Sequence, residues 1–234
     1  MIKIEALVKK YGKFYALNGI DLEFTRGQII ALVGPNASGK TSLIKCILGM
    51  VVPTGGTIEF DGKSISGQVL YKEKIGYMPQ IGRYPDHMSM GYLFRMMKDL
   101  GMKRVTGTYD EELIESFRLG PSFSKSMRSL SGGTRQKVSA ALAFLFNPDV
   151  IILDESTAGL DPIASEILKE KIRKSKAEGK LVVVTSHILS EIEEIADRIA
   201  YLADGKIVFN KTIEEIREDS GETRLGKAIF KLFH

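Results

Sequence analysis

Residues 28–41 read QIIALVGPNASGKT, and this stretch decides the fold. The nearly continuous apolar run Gln28–Val33 is typical of a strand that is buried on both faces. The segment Gly34–Thr41 that follows matches the pattern G-x-x-x-x-G-K-[ST], and a helical run Lys40–Gly49 comes next. Strand, glycine-rich loop and helix in this order predict a phosphate-binding loop. The alternative is a glycine-rich turn with a surface lysine.

The chemistry of such a loop explains its residue types. Glycines let the backbone wrap closely around phosphate oxygens, and the exposed N–H groups form an anion-binding nest at a helix N-terminus. A lysine at position 40 supplies a charge to the β- and γ-phosphates, and the hydroxyl at position 41 suits Mg²⁺. The candidate binding residues are Gly34, Pro35, Asn36, Ala37, Ser38, Gly39, Lys40, Thr41 and Ser42.

Before this loop, apolar and polar residues alternate with the period of a strand. One predicted face consists of Ile2, Ile4, Ala6 and Val8, and another of Ile20, Leu22 and Phe24. The short run Thr57–Phe60 predicts a further strand, and Asp61-Gly62 predicts the turn after it.

The middle of the chain, from about residue 81 to 147, predicts helices instead, near Ser89–Leu100, Asp110–Phe117 and Gly133–Phe146. Beyond it, strands are predicted at Val150–Leu153 and Leu181–Thr185. Between these strands a helix begins at Pro162 with Asp161 as N-cap, and its apolar stripe is Ile163, Ile167, Leu168 and Ile172. Strand, helix and strand imply a parallel sheet. A hairpin is predicted around Asp204-Gly205.

The expected organisation is a single domain over residues 1–234. Its α/β core comprises residues 1–80 and 148–234, and a helical subdomain of about 81–147 is inserted between them.

Composition excludes several classes of protein. The 234 residues include 33 Lys and Arg and 29 Asp and Glu, a mildly basic balance that does not require nucleic acid. Cys46 is the one cysteine, so no intrachain disulfide can form, and a reducing cytosol is favoured. The longest apolar run, Ala140–Phe146, is far shorter than the roughly 18 residues of a membrane span. The N-terminus does not resemble a secretory signal, so action at a membrane would need a partner.

Two acids end the predicted strand Val150–Leu153. Asp154 would hold Mg²⁺, and Glu155 would orient or deprotonate the water that attacks the γ-phosphate. The alternative is a helix cap or a solvated strand end.

A second candidate anion site lies at Leu130–Gln136, which reads LSGGTRQ. Ser131 suits an N-cap, and Gly132 and Gly133 expose backbone donors. Because one nucleotide needs one phosphate loop, a two-fold dimer would explain the excess: each chain's Ser131 segment would close on the nucleotide held by the other chain. The alternative is a glycine-rich helix start without a ligand.

In these motifs and their order, the sequence resembles the ATP-binding-cassette (ABC) ATPases over nearly its full length. The matching segments are the Walker A loop Gly34–Thr41, the Q-loop Gln80, the signature Leu130–Thr134, the Walker B acids Asp154 and Glu155, the D-loop Ala158–Asp161, the switch His187 and the A-loop aromatic Tyr11. Two positions depart from the family pattern: Thr134 stands where Gln is usual, and Ser156 stands where Pro is usual.

The resemblance implies an α/β phosphate-loop NTPase of ABC type, with a mixed-sheet core, an antiparallel β subdomain and an inserted all-helical subdomain. It implies an ATPase that binds ATP and Mg²⁺ and dimerises with ATP. Tyr11 would stack on adenine, and His187 would contact the γ-phosphate. The implied catalytic residues are Glu155, His187 and Lys40, the metal ligands are Thr41, Gln80 and Asp154, and the further nucleotide contacts are Gln80, Ser131, Gly132, Gly133 and Asp161.

The resemblance also implies a partner. In this family the region after the Q-loop, here Gln80–Met102, receives a membrane permease, and six of the nine methionines fall between positions 78 and 102. Methionine-rich surfaces suit adaptable contacts, although a loosely packed helical core would also explain them. The predicted location is the cytoplasmic face of the membrane, bound to the permease, with no nucleic acid expected.

Three functions remain as alternatives at this point. The first is the ATPase subunit of a transporter with separate membrane subunits, of export type because the cassette is compact. The second is a soluble ABC ATPase that acts on nucleic acid or ribosomes, and the third is an unrelated phosphate-loop kinase. The run Leu130–Phe146 also resembles, more weakly, ATPases of copper-processing systems for nitrous oxide reductase.

Overall fold

The computed structural model describes residues 1–101 and 109–233, which form two sheets and a set of helices. The strands in chain order are β1 (Ile2–Tyr11), β2 (Phe14–Phe24), β3 (Ile29–Val33), β4 (Gly55–Phe60), β5 (Lys63–Ser64), β6 (Ile75–Met78), β7 (Val150–Asp154), β8 (Leu181–Thr185), β9 (Arg198–Ala203) and β10 (Lys206–Thr212). The helices are α1 (Lys40–Ile47), α2 (Met90–Gly101), α3 (Glu112–Ser116), α4 (Gly132–Phe144), α5 (Pro162–Ala177), α6 (Leu189–Ile195), α7 (Ile213–Ser220) and α8 (Leu225–Phe233).

The larger sheet has the strand order β10-β9-β3-β8-β7-β6. Strands β9, β3, β8, β7 and β6 run parallel, and β10 pairs antiparallel with β9, so the sheet is mixed as predicted. The β7–α5–β8 unit confirms the predicted strand–helix–strand connection. Because the carboxyl ends of β3, β6, β7 and β8 lie along one edge, the loops that follow them meet there.

The central strands are buried on both faces, which explains their continuous apolar sequence. All five residues of β3 are buried, and so are all five of β8. In β3, Ile29, Ala31 and Val33 face the core that contains the helices between β6 and β7. Ile30 and Leu32 face the core shared with the smaller sheet. The large sheet therefore separates two hydrophobic cores.

The smaller sheet is antiparallel, in the order β2-β1-β4-β5. The predicted apolar face of β1 is confirmed at Ile2 and Ile4 but is wrong after Ile4. Ala6 is exposed at φ 46°, and Leu7 is fully buried in its place. The register moves from Ile4 opposite Leu22 to Leu7 opposite Ile20, so β1 has an extra residue in a β-bulge, which reverses the side chains that follow.

The chain between β6 and β7 contains helices α2, α3 and α4, as predicted for this part. The expectation that its methionines form a partner surface is wrong for Met78 and Met90, which are fully buried. Met88, Met96 and Met97 are partly buried and pack against the same core. Met102 lies outside the described residues. The boundaries at 80 and 148 stay a prediction.

Helix α5 also differs from its predicted stripe at one position. Leu168 and Ile172 are buried and Ile167 is partly buried, but Ile163 is 76% exposed. The predicted N-cap is confirmed, because the Asp161 carboxylate accepts a hydrogen bond from the Ala164 N–H at 2.9 Å. Within residues 1–101 and 109–233, no helix combines the length and apolar composition of a membrane span.

Candidate functional site

The loop between β3 and α1 wraps tightly because two of its positions require glycine. Gly34 has φ 154° and Gly39 has φ 112°, which side chains rarely adopt. A Cβ at Gly34 would lie 1.9 Å from the Leu202 carbonyl oxygen, and one at Gly39 would lie 2.4 Å from the Ala16 carbonyl oxygen. No larger residue fits either position without moving backbone.

The Lys40 side chain lies inside this loop. Its Nζ donates hydrogen bonds to the carbonyl oxygens of Gly34 at 2.7 Å and Pro35 at 2.9 Å. Only 9% of the residue is exposed, and this burial lowers the pKa of Lys40, although the nearby charges of Glu155 and Asp154 act against the shift. The loop therefore holds a positive charge at the cavity, which suits a polyanion.

Asp154 and Glu155 lie where β7 ends, beside the phosphate loop. The Thr185 hydroxyl at the end of β8 donates to the Asp154 carboxylate at 2.6 Å. The same hydroxyl accepts from the Glu155 N–H at 2.9 Å, so Thr185 fixes both acids. The sequence does not single out Thr185, since an apolar strand that ends in threonine carries no special signal.

The Glu155 carboxylate joins three loops. One oxygen accepts a hydrogen bond from the Gln80 side-chain amide at 2.5 Å, and the other lies 2.6 Å from His187 Nε2. The backbone of Glu155 has φ 50°, an unfavourable conformation for a non-glycine residue that is typical of functional sites. The structure thus brings together three residues that the sequence analysis had singled out separately.

Two aromatic side chains, those of Tyr11 and Phe14, line the same site as the acids Asp154 and Glu155 and form its aromatic end. Tyr11 ends β1 and is 48% exposed, and Phe14 begins β2 and is 58% exposed. The two residues are directly paired across the turn Gly12-Lys13. The Lys9 ammonium lies 5.0 Å from the centre of the Tyr11 ring and holds it by a cation–π contact. Phe14 was not among the predicted residues, although an aromatic residue across a two-residue turn from Tyr11 is a recognisable signal.

A cavity of about 570 Å³ connects these groups. Among the predicted residues, those that line it are Tyr11, Asn36, Ala37, Ser38, Gly39, Lys40, Thr41, Ser42, Gln80, Asp154, Glu155 and His187, and Phe14 and Ala16 complete the lining. Gly34 and Pro35 lie behind Lys40 and contribute their carbonyls to it. The cavity has an aromatic end, a cationic loop and an acidic edge.

The predicted second anion site does not line this cavity. Ser131 is the N-cap of α4, and its hydroxyl contacts both the N–H and the hydroxyl of Thr134. A Cβ on Gly133 would lie 2.8 Å from the Gly159 carbonyl oxygen, so α4 begins against the loop before α5. Lys137 of α4 donates to the Asp161 carboxylate at 2.6 Å. The carboxylate of Asp161 is therefore occupied within its own chain, and the predicted nucleotide contacts of Ser131, Gly132, Gly133 and Asp161 stay predictions.

The fold and this cavity define a phosphate-loop protein that binds nucleotides at the carboxyl edge of a mixed sheet. The family model described as ABC transporter matches residues 17–158. The chain belongs to the ABC transporter family, as its motifs had indicated.

Individual relatives agree with this assignment. The chain is 35% identical over 211 residues to the lantibiotic transport ATP-binding protein SrtF of Streptococcus pyogenes, covering 90% of both chains. It is 31% identical to the Nod factor export ATP-binding protein I of Ralstonia nicotianae, over 94% of this chain and 70% of that one. Among solved structures, an ATP-binding subunit of an ABC transporter superposes with a TM-score of 0.89 at 26% identity, covering 100% of both chains. A dimeric bacterial ABC transporter cassette superposes with a TM-score of 0.79 at 25% identity, covering 91% of this chain and 99% of that one.

Proposed function

We propose that the chain is the ATP-binding and ATP-hydrolysing subunit of an export-type ABC transporter and drives separate membrane-spanning subunits. The observation that carries the proposal is the Glu155 carboxylate, held between Gln80 and His187 beside the phosphate loop. Export is supported by the relative named for Nod factor export. The names of both relatives describe transport or export, which favours this function over action on nucleic acid or ribosomes.

The cavity orients ATP by its chemistry. The triphosphate lies in the loop 34–42, where backbone N–H groups and the Lys40 ammonium neutralise its charge. Adenine lies at the aromatic end, where the Tyr11 ring presents its π face. The γ-phosphate then faces the acidic edge. This orientation places Glu155 where a water molecule would attack.

The donor set of the site fits Mg²⁺. Thr41 and Asp154 bring hydroxyl and carboxylate oxygens to the cavity, and these are ligands that a hard cation prefers. The Gln80 amide nitrogen donates to Glu155, so its carbonyl oxygen is the group that remains for a cation. Thr41, Asp154 and Gln80 would hold the ion, and Mg²⁺ bound there neutralises charge on the phosphates.

Hydrolysis uses the chain's own groups. The water oxygen bonds to the γ-phosphorus while Glu155 accepts a proton from that water. The bond from the γ-phosphorus to the β–γ bridging oxygen breaks, which gives ADP and phosphate. Gln80 and His187 hold the two carboxylate oxygens in place, and Lys40 offsets the negative charge on the phosphates. Each chain's Ser131 segment covers the nucleotide of a second copy, and the dimeric state of the solved cassette supports the dimer that this needs.

The permease would dock on the helical part of the chain that follows Gln80. Tyr92 is 53% exposed and lies with Arg95 and Lys98 in an open cavity of about 490 Å³ on α2. Aromatic and arginine side chains are the residues that contribute most to protein interfaces. The predicted peripheral location on the cytoplasmic face of the membrane follows from this contact.

Phosphate release by the purified protein tests the function. Wild type should hydrolyse MgATP, and Glu155→Gln should reduce turnover by roughly 10²–10⁴-fold, because a general base is lost. Gel filtration with MgATP should then show the Glu155→Gln protein as a dimer. Glu115→Gln, the same change at an exposed position on α3, is the matched control and should keep wild-type turnover. Unchanged turnover in Glu155→Gln would refute the role of this residue.

Isolation of the complex from cells tests the transport assignment. The tagged chain should co-purify with a multi-span membrane protein and lose it on Tyr92→Ala. Recovery with ribosomes or nucleic acid instead would favour the second function named for this sequence.

A further inference from the structure

The contact between Glu155 and His187 depends on two separate loops. Glu155 follows β7 and His187 follows β8, yet their side chains meet at 2.6 Å. The His187 side chain is 46% exposed, so burial does not fix the ring. The Glu155 backbone is in an unfavourable left-handed conformation, which persists only where surrounding contacts hold it. The Thr185 hydroxyl and carbonyl hold the Glu155 N–H where the two strands end, and a further contact joins the loops beyond that point.

Glu191, in the first turn of α6, contacts both loops. The Thr157 hydroxyl donates to Glu191 Oε2 at 2.6 Å, and the Ser186 hydroxyl donates to the same oxygen at 3.4 Å. Thr157 lies two residues after Glu155, and Ser186 immediately precedes His187. One carboxylate oxygen thus connects the segments that carry the two catalytic side chains. Hydrogen bonds to a charged acceptor are short and strong, as the Thr157 distance indicates.

The Glu191 carboxylate lies near a helix terminus and a lysine. The carboxylate lies in the first helical turn, where the helix dipole stabilises an anion. Lys169 of α5 lies close enough to interact electrostatically with Glu191, although its ammonium binds Glu194 at 2.5 Å. Glu194 is one turn further along α6 and binds this lysine. The two acids of one helix therefore have different partners.

We infer that Glu191 is a positioning residue that holds the Glu155 turn against the His187 loop through Thr157 and Ser186. The inference rests on the proposed function and adds to it a residue that touches neither the nucleotide cavity nor the reacting atoms. It predicts that loss of this link weakens the chemical step while nucleotide binding is kept.

Kinetics of matched variants form the first test. Thr157→Val removes the donor and keeps the shape, and it should lower kcat about 10- to 100-fold with an unchanged KM for ATP, because a displaced catalytic group costs rate. Thr157→Ser keeps the hydroxyl and should restore turnover. Glu191→Leu removes the oxygen that accepts from both hydroxyls and should lower kcat in the same way, whereas Glu194→Leu, the same change on the same helix, should not. Equal effects of the two leucine variants would overturn the inference.

A double variant shows whether the link acts through His187. If it does, adding Thr157→Val to His187→Ala should cost no further turnover, because the ring that the link positions is already gone. Losses that multiply would assign Thr157 a merely structural role.

A spectroscopic measurement tests the link without relying on hydrolysis. The chain has three histidines, so the ring resonance of His187 can be assigned by its loss in His187→Ala. Glu155→Gln should shift this resonance in the wild-type background and leave it unmoved in the Thr157→Val background. An equal shift in both backgrounds would overturn the inference. Wild-type protein that fails to hydrolyse ATP would instead count against the proposed function, and the spectrum would still test Glu191.

Discussion

Phe14 is the residue whose role follows most directly from its exposure. A phenylalanine that is 58% exposed leaves apolar surface in water unless a ligand covers it. The Phe14 ring lines the cavity at the same end as Tyr11, its partner across the turn. Phe14→Ala should weaken ATP binding about 2- to 12-fold, since an aromatic contact contributes roughly 0.5–1.5 kcal/mol. Titration calorimetry with ATP would measure the change.

Inorganic triphosphate and a neighbouring aromatic provide the controls for Phe14. Triphosphate carries no base, so its affinity should be equal in wild type and Phe14→Ala. Tyr15 is 41% exposed on the same strand and lies under the Lys10 ammonium, outside the cavity lining. Tyr15→Ala should leave ATP affinity unchanged. If Phe14→Ala lowered the affinity for triphosphate as much as the affinity for ATP, the ring would act on the phosphate loop and would not contact the base.

The site was predictable from sequence where its residues are contiguous. The phosphate loop needs only local backbone geometry, which Gly34 and Gly39 encode directly. Asp154 and Glu155 were predictable because two acids end a buried strand in a chain that also contains a phosphate loop. Thr185 and Glu191 act across strands, and nothing in their local sequence states which side chain they will meet. Their roles needed the sheet order, which brings β7 beside β8.

Helix α5 is an element whose attachment to the helical segment can be tested. The Lys171 ammonium, only 4% exposed, donates to Asp110 at 2.5 Å and to Glu112 at 2.8 Å, near the start of α3. Lys174, 55% exposed, binds the same Glu112 at 2.6 Å. Lys171→Met should destabilise the protein by about 2 kcal/mol, because it removes the ammonium partner of Asp110, whose side chain is only 16% exposed. Lys174→Met should cost less than Lys171→Met, because water already solvates that pair. Urea unfolding would measure both, and equal losses would contradict the argument.

The same cluster predicts a pH dependence. Hydrogen bonds from Lys171 and Lys174 hold the pKa of Glu112 below its ordinary value of 4.5. A depressed folded-state pKa contributes stability above the unfolded value, and this contribution is lost as pH falls through the folded pKa. Wild type should therefore be more stable than Glu112→Gln at neutral pH. The difference should be about 1 kcal/mol or less, because the carboxylate is 41% exposed. It should shrink below about pH 4.5. A difference that grows with acid in urea titrations would have the wrong sign.

Strand β1 shows why an element can be predicted while its register is not. Its alternation was readable, but the bulge at Ala6 depends on Asp21, whose carboxylate accepts the Ala6 N–H at 2.8 Å from the neighbouring strand. Gly56 of β4 also allows the approach, because a Cβ there would lie 2.3 Å from the Ala6 carbonyl oxygen. Both contacts come from far along the chain. A local pattern cannot contain them.

At the scale of the whole molecule, we expect the predicted second anion site to act on another copy of the chain. Ser131 begins α4 but does not line the cavity that contains Lys40. Gly133 packs on Gly159, and Lys137 binds Asp161, so the signature and the loop before α5 are connected within one chain. We expect that a two-fold dimer presents this connected unit to the nucleotide of the partner.

Mixing two inactive variants tests this shared site. Lys40→Ala spoils a chain's own phosphate loop and keeps its signature, whereas Ser131→Arg keeps the loop and blocks the signature with a bulky side chain. Each homodimer then has two broken sites, and a mixed dimer has one whole site. Random pairing gives about half mixed dimers, so phosphate release should recover to about a quarter of wild type if the sites act independently.

Its control places both substitutions in one chain and mixes that chain with wild type. Every site of such a mixed dimer contains one defect, so mixing should add no activity to that of the wild-type homodimers. If both sites must be intact for either to work, the mixture of Lys40→Ala and Ser131→Arg would stay inactive. Cross-linking would then show whether the two chains share a site. Cysteines introduced near Ser131 and near Lys40 should link between two chains when ATP closes the dimer. Links that form only within single chains would show that each cassette completes its own site and would refute the two-fold arrangement.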